Sequence, residues 1–152
     1  MAIRVIGYAI VSADGMLANA RGVMPAELKI DADQRFFEDA LDRVDLIVHG
    51  RNSHEDQAGS PKRRRVIATR AVASLGRDPR NPNAIQWNPA GARFEDALAF
   101  AGVRDGLVAI IGGTDIFSMF LPRYDAFWLS LAPRVRLPGG VPVFHGVPER
   151  SP

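Results

Sequence analysis

The apolar residues of this chain fall into short, nearly continuous runs that are separated by polar segments. Six runs rich in β-branched residues predict strands at residues 3–11, 45–50, 65–70, 84–87, 107–113 and 126–132. Several of these runs do not alternate between apolar and polar positions, which is typical of strands that are covered on both faces of a sheet. The pattern therefore predicts a central, mostly parallel sheet.

Helical spacing appears between these runs. Asp31, with Gln34 three residues later, forms a plausible capping box, and apolar residues follow on one face up to residue 44. A second helix is predicted at 93–101, with acidic residues in its first turn and Gly102 at its carboxyl end, and a third at 115–121. Strands that alternate with short helices predict an α/β fold.

Three polar or Gly/Pro-rich segments remain, at residues 12–29, 52–62 and 76–83. The first is long for a connection inside a compact domain, and such loops are usually functional lids or locally disordered. The length of 152 residues predicts a single domain that spans residues 1–152.

The composition excludes several kinds of chemistry. The chain has no cysteine, which excludes disulfides and thiolate catalysis and suits a reducing cytoplasm. The first apolar run is too short and too β-branched for a signal peptide or a membrane span. The three histidines lack the spacing of a metal site, and His49, inside a predicted strand, is expected to be packed. No metal and no membrane partner are therefore expected.

A glycine pair, Gly112-Gly113, lies where the fifth predicted strand turns into a helix. Such a pair lets a ligand approach the backbone without meeting a Cβ, and the following helix directs unpaired N–H groups at that space. This is the chemistry of a pyrophosphate cradle, although neither a G-x-G-x-x-G fingerprint nor a P-loop is present. The pair also fits a plain strand-to-helix turn, so it does not assign a ligand by itself.

Two further strand ends carry polar residues that suit a phosphate. Arg51 and Ser53 follow the second predicted strand, and Thr69-Arg70 follows the third. The basic run at 62–65 is expected to be a solvated face. Nucleic-acid binding through Arg63, Arg64 and Arg65 is a weak alternative, because no aromatic residues that would stack on bases are interleaved there. No nucleic-acid partner is therefore expected.

In order and spacing, these elements resemble the dihydrofolate reductase superfamily, which includes dihydrofolate reductase and the reductase domain of bacterial riboflavin biosynthesis. The pieces that carry the resemblance are "SADGMLA" (12–18), "DADQRFF", "DLIVHGRNSHE", "KRRRVIATR", "RFEDALAFAG", "AIIGGTDIFSMFLPRYDAFWLSLAPRV" and "GGVPVF". The resemblance implies an α/β, dihydrofolate-reductase-like fold with a central mostly parallel sheet flanked by helices. The chain ends at Pro152 without the closing strands usual in the family, so an edge is expected to be bare or covered by a partner subunit of a homodimer.

The resemblance implies that NADPH is the cofactor, with the loop at 12–29 as a mobile flap over the nicotinamide. Arginines at 51 and 70 favour NADPH over NADH, because they match the segments around the second phosphate and the adenosine 2′-phosphate. The cofactor-binding positions that it implies are Ala9, Gly15, Gly50, Arg51, Asn52, Ser53, Thr69, Arg70, Gly112, Gly113, Thr114, Asp115 and Ile116.

The resemblance also implies a small heterocyclic substrate, either pterin-like or ribosylamino-pyrimidine-like. The form S-x-D-G of the first loop is closer to the riboflavin branch. Asp33 matches the catalytic acid and Ser130 a hydroxyl that supports it, while "MPAEL" around Glu27 only imitates the acid motif. Tyr8, Asp31 and Phe37 are the expected substrate contacts. Asp31 and Asp33 also fit a purely structural role at the start of the helix.

The expected function is that of an NADPH-dependent reductase that transfers a hydride to a C=N or C=O bond of such a heterocycle. A homologue that binds NADP(H) without turnover is the alternative.

Overall fold

The structure is a computed structural model that describes residues 3–23, 31–51 and 63–147, with the backbone alone for residues 31–34. Nine strands and three α-helices lie in these ranges. The strands are β1 (Ile3–Ser12), β2 (Met16–Ala18), β3 (Leu46–Gly50), β4 (Arg65–Ala68), β5 (Leu75–Arg77), β6 (Ala84–Trp87), β7 (Gly106–Ile110), β8 (Ala126–Ala132) and β9 (Val141–Pro142). The helices are α1 (Asp31–Arg43), α2 (Phe94–Ala101) and α3 (Thr114–Met119), and a short 3₁₀ turn follows α3 at Leu121–Arg123.

Seven strands form one sheet in the order β5-β6-β4-β3-β7-β1-β8. All neighbouring pairs are parallel except β5 and β6, and the remaining strands, β2 and β9, pair with each other. The prediction of an α/β fold with a central, mostly parallel sheet is confirmed. β8 forms one edge of the sheet, because among the described residues it pairs with β1 alone.

The helices cover both faces of the sheet. α1 lies on one face, where Leu41 is fully buried against Ile47 and Ala109. α2 and α3 lie on the other face and contribute Phe94, Leu98 and the ring of Phe117 to the larger core. Burial on both faces explains why the central strands are almost uninterrupted apolar runs.

The ends of α2 match the sequence prediction. The N–H of Arg93 donates to the carboxylate of Asp96, and the N–H of Gly102 donates to carbonyls of the last turn. Gly102 has a φ of 75°, in the left-handed region that glycine adopts without a Cβ clash. The helix therefore ends where the sequence indicates.

The basic run at 62–65 was expected to be a solvated face, and the structure differs from this expectation. The side chain of Arg63 is only 9% exposed and forms an ion pair with Asp42 at 2.8 Å. Arg65 is buried, because it begins a strand that is paired on both sides. The expectation of a solvated face is wrong for both residues, and the nucleic-acid interpretation loses two of its three arginines.

His49 is buried, as its position in a predicted strand indicated. Its Nδ1 lies 2.8 Å from the carbonyl oxygen of Gly50 and donates to it, since that oxygen can only accept. The other ring nitrogen, Nε2, lies 3.4 Å from the guanidinium of Arg65 and is left to accept. The ring therefore links β3 and β4 inside the sheet.

The prediction of a polar loop at 76–83 is wrong for the first residues of this segment. Its first residues belong to β5, which pairs antiparallel with β6. The strand has only three residues and carries the sequence Leu-Gly-Arg, which gives no strand signal along the chain. Its conformation follows from the hydrogen bonds that β6 offers to it.

Replacing Gly7 by alanine should destabilise the fold. A Cβ at this position would lie 2.2 Å from the ring of Phe127, which is itself packed against other aromatic rings. We expect a loss of about 1–3 kcal/mol in the free energy of unfolding, measured with urea, because the core cannot admit the methyl group without moving. Gly76→Ala is the matched control: its Cβ would lie 3.3 Å from a movable methyl of Val72, and a loss as large as that of Gly7→Ala would contradict the packing argument.

Candidate functional site

The chain changes direction at the carboxyl ends of β3 and β7. After β3 it moves outwards to β4, whereas after β7 it passes β1 and reaches β8 on the other side. The two ends are joined, because the N–H of Gly50 donates to the carbonyl of Gly112 at 2.8 Å. Ligands of open α/β sheets bind in the crevice at such a topological switch point. The candidate site therefore lies at this end of β3 and β7.

The glycine pair borders open space at this crevice. Gly112 has a φ of 115°, which L residues rarely adopt, and the peptide bond between the two glycines is cis. A Cβ at Gly113 would meet no heavy atom within 4 Å, whereas one at Gly50 would touch Ile116 at 3.4 Å. The backbone at Gly113 thus faces an unfilled space that a ligand could approach closely.

Two arginines follow neighbouring strands at the same edge. The N–H of Arg51 donates to the carbonyl of Ala68 at 3.0 Å, so the ends of β3 and β4 are also held together. Arg51 and Arg70 are exposed, and within the described ranges neither forms an ion pair. In the described part of the chain, two arginines without an ion pair therefore follow neighbouring strand ends, where they suit an anionic ligand.

Thr69, between these arginines, is buried. Its N–H donates to the carbonyl of Trp87 at 2.9 Å, and its Oγ1 accepts from the N–H of Ala71 at 3.1 Å. The hydroxyl hence shapes the turn after β4. The predicted cofactor contacts Asn52 and Ser53 lie outside the described residues.

The side chains in the first turn of α3 contact other parts of the protein. The hydroxyl of Thr114 donates to the carbonyl of Pro142 in β9, and Asp115 pairs with His145 at 2.7 Å. Ile116 is buried in the larger core. These three predicted cofactor positions therefore offer their backbone towards the crevice. Their side chains contact β9 and the segment after it or fill the core.

The motif S-x-D-G forms a turn around Asp14, a residue that sequence reasoning did not single out. The carboxylate accepts hydrogen bonds from the hydroxyl of Ser12 at 2.5 Å and from the N–H of Leu137 at 3.0 Å. The Ser12 hydroxyl holds the pKa of Asp14 below its usual range, and the N–H of Leu137 and nearby Arg136 act in the same direction. The S-x-D-G motif is the sequence signal from which the role of Asp14 could have been predicted.

The two remaining cofactor predictions are Gly15, at the end of this turn, and Ala9, earlier in the chain. Gly15 has a φ of 84°, and its carbonyl accepts from the N–H of Val143 at 3.0 Å. Ala9 is buried within β1. The left-handed φ explains why a glycine follows Asp14.

The predicted substrate contacts lie on the α1 side of the sheet. Tyr8 is buried, which raises the pKa of its hydroxyl, and its ring lies 6.4 Å from that of Phe37. Ser130 is half-buried and registered with Ile10, and no described residue forms a hydrogen bond with its hydroxyl. Asp31 and Asp33 lie in the first turn of α1, and their side chains are outside the described part of the structure.

Two cavities lie at the opposite, amino end of the strands. One, of about 390 Å³, is lined by the Asp42–Arg63 ion pair and by apolar residues of α1 and β3, and the other, of about 200 Å³, lies beside Phe100 at the end of α2. The cavities thus lie at one edge of the sheet, whereas the glycine pair and the two arginines lie at the other. The first cavity contains charges that already neutralise each other, so the carboxyl edge remains the better candidate.

Some kinds of site are not observed. No group of three or more histidine, aspartate or glutamate side chains in residues 3–23, 35–51 and 63–147 could hold a metal ion. Within the same described chain, no helix is long and apolar enough to cross a bilayer.

Comparison with known proteins identifies the fold. No protein-family model and no curated protein matches the sequence. A solved structure named "Putative riboflavin biosynthesis protein", from Shewanella sp. PV-4, matches with a TM-score of 0.68 and 21% identity over 93% of this chain and 82% of that one. Dihydrofolate reductase from Enterococcus faecalis, complexed with NADP(H) and RAB-propyl, matches with a TM-score of 0.60 and 18% identity over 84% of this chain and 70% of that one. The chain therefore has the dihydrofolate-reductase-like fold, as its sequence motifs indicated.

Asp14→Asn should lower the stability of the fold at neutral pH. A charged acceptor of two hydrogen bonds is lost, and we expect a decrease of about 1 kcal/mol in the free energy of unfolding, because the site is only half-buried. The folded pKa of Asp14 lies below its unfolded value, so the stabilisation is complete above a pH of about 4 and disappears as the pH falls through the folded pKa. Urea unfolding should show wild type and variant converging in acid, whereas Asp39→Asn, on the exposed side of α1, should follow wild type throughout. A difference that does not change with pH would contradict this role.

Proposed function

We propose that the chain is an NADPH-dependent reductase that reduces a C=N or C=O bond of a pterin-like or ribosylamino-pyrimidine-like heterocycle. The observation that carries the proposal is the open backbone at Gly113, at the switch point of a dihydrofolate-reductase-like sheet. A neighbour of the same fold, complexed with NADP(H), supports this choice of cofactor.

The residues at the carboxyl edge fit a dinucleotide phosphate. The backbone of Gly112 and Gly113 would meet the pyrophosphate, since a side chain at either position would occupy the approach. Arg51 and Arg70 would bind the adenosine 2′-phosphate, because a guanidinium pairs with phosphate through two parallel N–H bonds. Asn52, Ser53 and Thr69 would complete this side. Ala9, Gly15 and the backbone of residues 114–116 would border the nicotinamide half.

The α1 side of the sheet would hold the substrate. Tyr8 and Phe37 supply apolar ring surface, and Asp31 a polar contact. When bound, the nicotinamide supplies the hydride, so the protein has to orient the heterocycle and deliver a proton. Asp33, or a water molecule that it holds, would give the proton, and the hydroxyl of Ser130 would orient the acid.

We further propose that residues 1–152 form one domain and that this domain acts in the cytoplasm. A chain without cysteine forms no disulfide that a reducing compartment would break.

Arg51→Ala should weaken the binding of NADPH far more than the binding of NADH. Loss of a charge-assisted pair to the 2′-phosphate should raise the Kd for NADPH by about ten- to a hundredfold, whereas NADH has no such phosphate to lose. Calorimetric titration of both cofactors measures the effect, with Arg104→Ala, an exposed arginine at the amino end of β7, as the control. Equal losses for both cofactors would refute the 2′-phosphate role, and a wild-type chain that binds neither would refute the cofactor.

Turnover is tested by following the oxidation of NADPH with dihydrofolate and with the ribosylamino-pyrimidine of the riboflavin pathway. We expect one of the two to be reduced, and Asp33→Asn to lower kcat by about 10²- to 10⁴-fold without changing the Kd for NADPH. Asp39→Asn, on the same helix, is the control. If NADPH binds but neither compound oxidises it, the alternative of an NADP(H)-binding homologue without turnover replaces the reductase.

A further inference from the structure

One long edge of the main sheet is open. β8 pairs with β1 over its whole length, from Ala126 to Ala132, and no described strand lies on its other side. At seven residues it is longer than the opposite edge strand, β5, which has three. An exposed strand of this length offers a row of backbone donors and acceptors to another chain.

The backbone groups at this edge can be assigned by alternation. The N–H and the carbonyl of Val5 both bond to Asp125, so the odd-numbered residues of β1 direct their backbone groups towards β8. Gly7 is in register with Phe127 and therefore bonds to Ala126 and Trp128, which leaves Phe127, Leu129 and Leu131 to direct their backbone groups outwards. In the described chain, none of these three residues makes a backbone hydrogen bond beyond β1.

The side chains at the edge are apolar and exposed. Trp128 is 54% exposed and Leu131 49%. The ring of Trp128 lies 5.6 Å from that of Phe36 on α1, so the apolar surface continues from the strand onto the helix. Residues 126–132 include no charge and no proline, the residues with which natural edge strands block unwanted pairing.

We propose that this edge is the interface of a homodimer, in which β8 of one copy pairs antiparallel with β8 of a second copy. The sheet then continues across the two chains. The strand suits a copy of itself, because its outward residues are placed symmetrically about Leu129. A two-fold axis at Leu129 pairs Phe127 of each copy with Leu131 of the other, and all outward backbone groups find partners.

The neighbouring register is less suitable. An axis at Trp128 would place the outward backbone groups of Leu131 opposite Asp125, whose N–H already donates to the carbonyl of Val5. The axis at Leu129 places Trp128 of each copy opposite Ser130 of the other, so the two indole rings are diagonal neighbours within reach of each other.

The charges that flank the strand favour the antiparallel direction. Asp125 precedes it and Arg134 follows it, and both side chains are exposed. Antiparallel copies place the acidic end of one strand beside the basic end of the other, whereas parallel copies would bring like charges together. This inference concerns the edge alone and does not depend on the proposed activity.

Sedimentation over a concentration series tests the dimer. We expect the wild-type chain to sediment at twice its own mass, and Trp128→Lys to weaken the dimer about thirtyfold or more with an unchanged circular dichroism spectrum. Phe100→Lys is the matched control, because Phe100 is 40% exposed and contacts Arg77 of β5 at the far end of the sheet. A wild-type chain that stays monomeric, or a Trp128→Lys variant that dimerises like wild type, would overturn the proposal.

Cysteine cross-linking tests the register, since the native chain has no cysteine to interfere. A mixture of Ala126→Cys and Ala132→Cys should form a disulfide between the two variants, because these residues form a pair without hydrogen bonds whose Cα atoms lie about 4.5 Å apart. Each variant alone should remain reduced. Cross-linking of either variant with itself would overturn the antiparallel pairing, and so would a mixture that dimerises but does not cross-link.

Discussion

The hydrogen bond from Gly50 to the carbonyl of Gly112 joins two strands at the point where the chain leaves them in opposite directions. Everything on this side of the molecule follows from that divergence. At such a point, the gap between the two strand ends is bordered by backbone and by the first residues after each strand. A Cβ at Gly113 would meet no neighbour, and Arg51 and Arg70 follow the ends of β3 and β4 at the same edge of the sheet. The candidate site thus depends on backbone positions that the paired strands fix.

The parts of the fold that could be predicted from the sequence are those with strong local or ordered signals. Uninterrupted apolar runs indicated six strands, because strands that are buried on both faces need no polar positions. The acidic first turn and Gly102 set the limits of α2. The order of the motifs added the family resemblance, which the fold confirms at 18–21% identity.

The remaining features depend on contacts between distant residues. Arg63 and Arg65 have the pattern of a solvated run, and only the positions of α1 and β3 show that both are enclosed. β5 forms because β6 offers it hydrogen bonds, and no local preference indicates it. The side chain of Thr114 is directed by a carbonyl of β9, which lies far away in sequence. The sequence could thus suggest a candidate ligand site, but not which side chains are already engaged inside the protein.

The position of β1 has a consequence for how the chain is made. Ile3 pairs with Gly106 and Ser12 with Ala132, so β1 finds its two neighbours only after the later strands β7 and β8 have been synthesised. Until then its nearly continuous apolar surface has no sheet to join, and contacts between residues so far apart in sequence form slowly. Nascent chains should therefore need protection of β1 until β7 and β8 have emerged, because β1 is paired on both sides in the finished sheet.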